Sequence, residues 1–107
     1  MVDQSIVDAA RKYLRKLSER GVPVGFGVIF GSWATGTADE WSDIDLIVVS
    51  PRFDEAYGCR DVDALWHLTV ETDNRIEPVP CGLKQWEEDH CRPILRIARR
   101  EGQRITL

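Results

Sequence analysis

Ile6, Ala9, Ala10, Tyr13, Leu14 and Leu17 recur at offsets of three and four, which predicts an opening helix with one apolar stripe. Ser5 with Asp8 suits a capping box at its start. Gly21 can adopt the left-handed conformation that ends such a helix, and Pro23 prevents its continuation. The pattern then shortens. Val24 to Phe30 is an apolar run interrupted by glycines, which predicts a buried strand. After Gly31-Ser32 a short helix is expected near Trp33, with Gly36 turning the chain back. Ile44 to Val49 forms a second apolar run, stopped by Ser50-Pro51, and the stretch to Arg60 reads as polar, irregular loop.

Helical spacing returns at Val62, Leu65, Trp66 and Thr69, behind Asp61 as a candidate N-cap. Arg75 to Val79 predicts a third strand, which Pro78 and Pro80 confine to an edge or a terminus because proline gives no ladder donor. Leu83, Trp86 and His90 suggest another helix. Pro93 starts a further one carrying Ile94, Leu95, Ile97 and Ala98, and Arg104 to Leu107 closes the chain as a short strand. Trp66 and Trp86, at helical positions, are expected in the core. Helices alternating with about four short strands place the chain in the α/β (α+β) class, a small mixed sheet flanked by helices.

Composition narrows this without changing it. The 107 residues suit a single domain, 1–107, and 43% hydrophobic with 30% charged residues is the balance of a folded globular chain. The formal net charge of −4 offers no overall field for a polyanion, so a nucleic-acid partner is disfavoured. Basic residues still cluster at Arg11, Lys12, Arg15, Lys16 and Arg20, and again at Arg92, Arg96, Arg99, Arg100 and Arg104. Both clusters read first as solvated helix faces. No apolar run reaches the ~18 residues of a membrane span, and the three cysteines, Cys59, Cys81 and Cys91, lack CxxC spacing. A cytoplasmic protein without disulfides or structural zinc is the expectation, with no zinc set completed by Cys81, His90 and Cys91.

Charge within the second apolar strand does change the picture. Asp43 and Asp45 are separated by one residue, and the two-residue period of a strand aims both carboxylates at one face, with Cα atoms ~6.6 Å apart. Ile44 and Leu46 then face the core. Paired catalytic metals sit ~3.5–4 Å apart, a span that two such carboxylates can bridge. Glu77, on the next strand between Ile76 and Val79, is an acid in an apolar segment, and metal coordination would give it a reason. Mg²⁺ favours oxygen ligands, commonly one or two carboxylates plus substrate phosphates. Gly31 permits close backbone approach and Ser32 adds a hydroxyl at a helix start, where amides can meet phosphate oxygens.

The stretch from Gly31-Ser32-Trp33-Ala34-Thr35-Gly36 to Ser42-Asp43-Ile44-Asp45-Leu46 resembles the signature of the polymerase-beta-like nucleotidyltransferase superfamily, Gly-Ser, ten residues, then Asp-x-Asp. The glycine four residues after Ser32 and the run Ser-Asp-Ile-Asp-Leu look like its minimal nucleotidyltransferase (MNT) branch. The resemblance implies that Asp43, Asp45 and Glu77 hold two Mg²⁺ ions, that Glu77 helps to activate an attacking hydroxyl, and that Gly31 and Ser32 hold the triphosphate of ATP or another NTP. Two departures stand out: the family often has arginine where Trp33 stands and sometimes aspartate where Glu77 stands. Glu71 and Asp73 are the weaker candidates for the third acid.

Minimal members often act beside an all-helical HEPN partner in toxin–antitoxin pairs, the nucleotidyltransferase moving AMP onto the toxin. The expected function is therefore Mg²⁺-dependent transfer of a nucleoside monophosphate to a hydroxyl on such a partner. Two alternatives compete with it. One is a non-catalytic antitoxin that neutralises its partner by contact, which exposed tryptophans would favour. The other keeps the chemistry but uses a small molecule or an RNA end as acceptor, which the short chain and negative charge disfavour.

Overall fold

The computed structural model describes residues 2–107. Helix α1 (Gln4–Glu19) is followed by strand β1 (Phe26–Phe30), a one-turn helix α2 (Ser32–Thr35) and strand β2 (Ile44–Val49). A 3₁₀ turn (Pro51–Asp54) leads into α3 (Cys59–Glu71), β3 (Ile76–Cys81), α4 (Leu83–Glu88), α5 (Pro93–Glu101) and β4 (Gln103–Ile105). The four strands make one mixed sheet in the order β3-β2-β1-β4, with β2 and β3 parallel and the other two pairings antiparallel. The expected class and sheet are thus observed, and the proline-bearing β3 lies at an edge.

Alternation along the strands separates two cores. Ile29, Ile44, Leu46, Val48 and Ile76 face the α1/α3 side, where they meet Ile6, Tyr13, Leu14, Leu65 and Leu68. Phe26, Val28, Ile47, Val49 and Cys81 face the α4/α5 side against Trp86, Leu95 and Ala98. Strand β2, from Leu46 onward, is covered on both faces, which is why its residues read as a continuous apolar run rather than an alternating one. Tyr13 crosses the first core fully buried because its hydroxyl donates to the Leu65 carbonyl at 2.7 Å.

Several local expectations are corrected. Asp3, not Ser5, caps α1, its carboxylate accepting from the Ser5 amide at 2.8 Å. Ser5 already lies inside the helix. Asp61 likewise sits within α3, which starts two residues earlier; its carboxylate accepts from the Gly58 amide at 3.1 Å. The stretch before Arg60 is ordered by the 3₁₀ turn, and Asp54 there accepts from the Lys84 and Gln85 amides, capping α4 from thirty residues away. No local pattern could signal that. His90 falls beyond the end of α4. Trp86 is buried, as expected, while Trp66 is 45% exposed.

Candidate functional site

The parallel pairing of β2 with β3 sets Asp45 directly beside Glu77, and the antiparallel pairing with β1 sets Asp45 opposite Phe30. By strand parity Asp45 and Glu77 lie on the same face as Ile47, Val49, Val79 and Cys81, the face that α4 and α5 cover further along. The carboxylates occupy its open end. Asp43, one residue ahead of β2 and exposed, comes within hydrogen-bonding reach of Glu77, as does Asp45. The three acids that the spacing singled out are therefore brought together.

Their electrostatics follow from this crowding. Burial raises the Glu77 carboxyl above the ordinary glutamate range, and the negative charges and hydrogen-bonding oxygens of Asp43 and Asp45 raise it further. Asp45 is also raised, first by burial and then by the charge of Asp43, while a hydrogen bond with Glu77 pulls the other way. Adjacent carboxylates that hinder one another's ionisation favour a shared proton or a cation. Glu71 and Asp73, the weaker candidates, are occupied elsewhere. Glu71 pairs with Arg20 at 2.5 Å and Asp73 with Arg75 at 2.7 Å, and each carboxyl is held below its usual range mainly by that hydrogen bond.

Gly31 joins β1 to α2 with φ 74 and ψ −149, a backbone conformation that residues with a Cβ rarely adopt. A Cβ built there would collide with the Asp45 carboxylate. Glycine thus lets the phosphate-binding candidate turn lie directly against the acidic strand. The Gly31 carbonyl accepts from the amides of Ala34 and Thr35 at 3.0 and 3.1 Å, so the Ser32 and Trp33 amides precede the first helical bond. Gly36, left-handed at φ 79, ends α2 and returns the chain towards β2.

Two further contacts hold the acidic loop in place. The Trp33 indole packs against the α1/α3 core and donates from Nε1 to the Ser42 carbonyl at 3.3 Å, immediately ahead of Asp43. Asp39 and Ser42 close a turn: the Asp39 amide donates to Ser42 Oγ at 3.0 Å, the Ser42 amide to the Asp39 carbonyl at 3.1 Å, and the Trp41 amide to Asp39 Oδ1 at 2.9 Å. Sequence reasoning missed the part played by Asp39. An Asp three residues ahead of Ser, beside the candidate metal acids, was the available signal for such a side-chain-closed turn.

Among the described residues, no group of three or more His, Cys, Asp or Glu side chains is disposed to hold a metal ion by itself. Mg²⁺ commonly takes one or two carboxylates and completes its shell from phosphate and water. The side-by-side Asp45 and Glu77, with Asp43 at the rim, form an oxygen-only anionic edge of that kind beside the Gly31-Ser32 turn.

Two solved structures share the fold. One, from Sulfolobus solfataricus and described as a candidate nucleotidyltransferase, superposes with a TM-score of 0.63 at 15% identity, covering 94% of this chain and 78% of that one. The other is a toxin–antitoxin structure with AMP-PNP, with a TM-score of 0.59 at 20% identity over 88% of this chain and 70% of that one. No curated protein sequence matches the chain. The sequence pattern of the nucleotidyltransferase domain matches residues 10–104, nearly the whole length and every element that builds the acidic edge, and the chain belongs to that family.

Proposed function

We propose that the protein transfers a nucleoside monophosphate, AMP from ATP, onto a hydroxyl of a helical HEPN-type partner, and acts as the antitoxin of that pair. The observation that carries the reading is the meeting of Asp43, Asp45 and Glu77 against the Gly31-Ser32 turn, within a nucleotidyltransferase domain. The similar fold in a toxin–antitoxin structure with AMP-PNP supports the choice of nucleotide and of a protein acceptor.

In this reading Gly31, Ser32 and the first amides of α2 receive the triphosphate. Asp43, Asp45 and Glu77 would hold two Mg²⁺ ions together with phosphate oxygens, and Mg²⁺ when bound supplies charge neutralisation at the phosphates and acidifies the acceptor hydroxyl. The hydroxyl oxygen bonds to the α-phosphorus as the bond from that phosphorus to the bridging oxygen breaks. Pyrophosphate leaves with the electron pair, and Glu77 accepts the hydroxyl proton. Trp33 and the Asp39–Ser42 turn keep the acids in register with the phosphate turn, so positioning contributes much of the acceleration.

The test is incubation with Mg²⁺, α-labelled ATP and the product of the neighbouring reading frame. Label should appear on that protein and vanish with Asp43→Ala or Asp45→Ala. Turnover retained in either variant refutes the assignment. A second reading, neutralisation by contact alone, is favoured by the 84% exposure of Trp41 and 45% exposure of Trp66. Neutralisation that survives loss of both aspartates would select it.

A further inference from the structure

On helix α3 the helical pattern and the core disagree. Its inner face is spent on Leu65, Leu68 and Thr69, all buried. Its outer face nevertheless carries large apolar side chains, Trp66 at 45% and Val70 at 80% exposure, with Val62 half-buried one turn before them. Positions 62, 66 and 70 are spaced by four, so they form a single i±4 ridge, the kind that packs into the groove of another helix. Tyr57, 38% exposed and set edge-on against Phe53 with ring centroids 5.2 Å apart, extends the ridge at its N-terminal end.

Two shallow grooves flank this ridge. One of about 370 Å³ is lined by Tyr57, Gly58, Cys59, Val62 and Asp63, and one of about 250 Å³ by Asp63, Trp66, His67 and Val70. Asp63 borders both. The other acids of α3 are engaged, Asp61 with Arg52 at 2.9 Å and Glu71 with Arg20 at 2.5 Å, whereas Asp63 forms no ion pair among the described residues. An unpaired carboxylate in the middle of an apolar ridge selects for a cation on whatever covers it and disfavours a second copy of this face, which would bring Asp63 and its equivalent into one interface. An exposed indole flanked by aliphatic side chains is also the composition of a binding centre rather than of a solvated face.

We propose that this outer face of α3 docks a helix of the partner protein, one with an apolar stripe and a lysine or arginine placed against Asp63. The inference rests on the proposed function only in needing a protein partner, and docking requires no nucleotide. Tyr57, Val62, Trp66 and Val70 supply the apolar contact, and Asp63 sets partner choice and orientation. The face lies on the α1/α3 side of the sheet, opposite the side that bears Asp45 and Glu77. A partner held there leaves the acidic edge open to nucleotide.

The test is amide NMR of the isotope-labelled full chain, titrated without nucleotide with a synthetic helical peptide of about 20 residues. The peptide carries leucines spaced by four and three and lysines beside them; a control peptide has glutamates in place of the lysines. Shifts confined to residues 57–71, with the lysine peptide bound more tightly, are expected. Asp63→Lys should reverse the preference, and Trp66→Glu should weaken binding on the order of thirtyfold while the melting temperature holds. Binding that is absent, indifferent to peptide charge or centred elsewhere overturns the proposal. A concentration-dependent dimer of the chain alone that Trp66→Glu dissolves also overturns it, by assigning the face to a second copy. Label transfer onto a partner that persists in Trp66→Glu refutes the docking face while leaving the transferase reading intact. Peptide binding without transfer does the reverse.

Discussion

The two ends of one sheet face have opposite fates. Asp45 and Ile47 are two residues apart on β2 and point the same way, as do Glu77 and Val79 on β3. Ile47 is fully buried beneath α4 and α5, whereas Asp45 and Glu77 lie at the end of that face with part of their surface in solvent. Strand alternation sets direction only. What makes one pair of side chains core and leaves the next pair open to solvent is where the covering helices stop, together with a glycine turn, rather than a helix, at the open end.

That contrast breaks most sharply at the acids. Asp43→Ala and Asp45→Ala should each lower label transfer on the order of 10²–10³-fold, with far-UV circular dichroism unchanged, because neither residue contributes to either apolar cluster. Gly31→Ala tests the junction between the two regions. Its Cβ would meet Asp45 in a backbone conformation costing about 1–3 kcal/mol, so chemical denaturation should show that loss together with reduced transfer. On the covered side, Ile47→Val should cost about 0.5–1.5 kcal/mol in the same denaturation experiment and leave transfer per folded molecule as it was.

The smallest effect concerns pH. Asp45 and Glu77 both have raised pKa values, so each favours folding fully below its unfolded-state value and loses that contribution as pH rises through the folded-state value. The metal-free protein therefore carries unrelieved repulsion at neutral pH. Asp45→Asn should raise its melting temperature by a few degrees at pH 7, and the gain should fade as pH drops through the carboxylate range. Millimolar Mg²⁺ with nucleotide should stabilise the natural protein more than the variant. Equal stabilisation of both would show that Asp45 does not take part in cation binding.

Much of this was legible in the chain because it rests on short-range pattern. The period of the apolar residues located α1, α3, α4 and α5, short apolar runs located strands β1 to β3 within a few residues, the Gly31-Ser32 turn pointed to α2, and the two prolines placed β3 at an edge. Asp43 and Asp45 follow directly from the period of a strand. Glu77 required the register of β2 against β3, which residue spacing alone does not encode; its standing as an acid among apolar neighbours was the usable hint. Long-range polar contacts left no local trace. Asp54 capping α4 and the Trp33 indole donating to Ser42 each join segments whose approach only the folded sheet creates. Trp66 was misplaced because helical spacing identifies a stripe but does not reveal whether a second stripe beside it has anything to cover it.

The indole of Trp33 has one more implication. Its half-buried ring packs against the α1/α3 core while its nitrogen donates to the carbonyl before Asp43, so the turn that would receive phosphate and the loop that would receive the cation are tied to each other. A nucleotide bound as proposed would meet a frame already assembled. Little loop ordering would then accompany its capture, and slackening that one strut by Trp33→Phe would let the two segments drift independently.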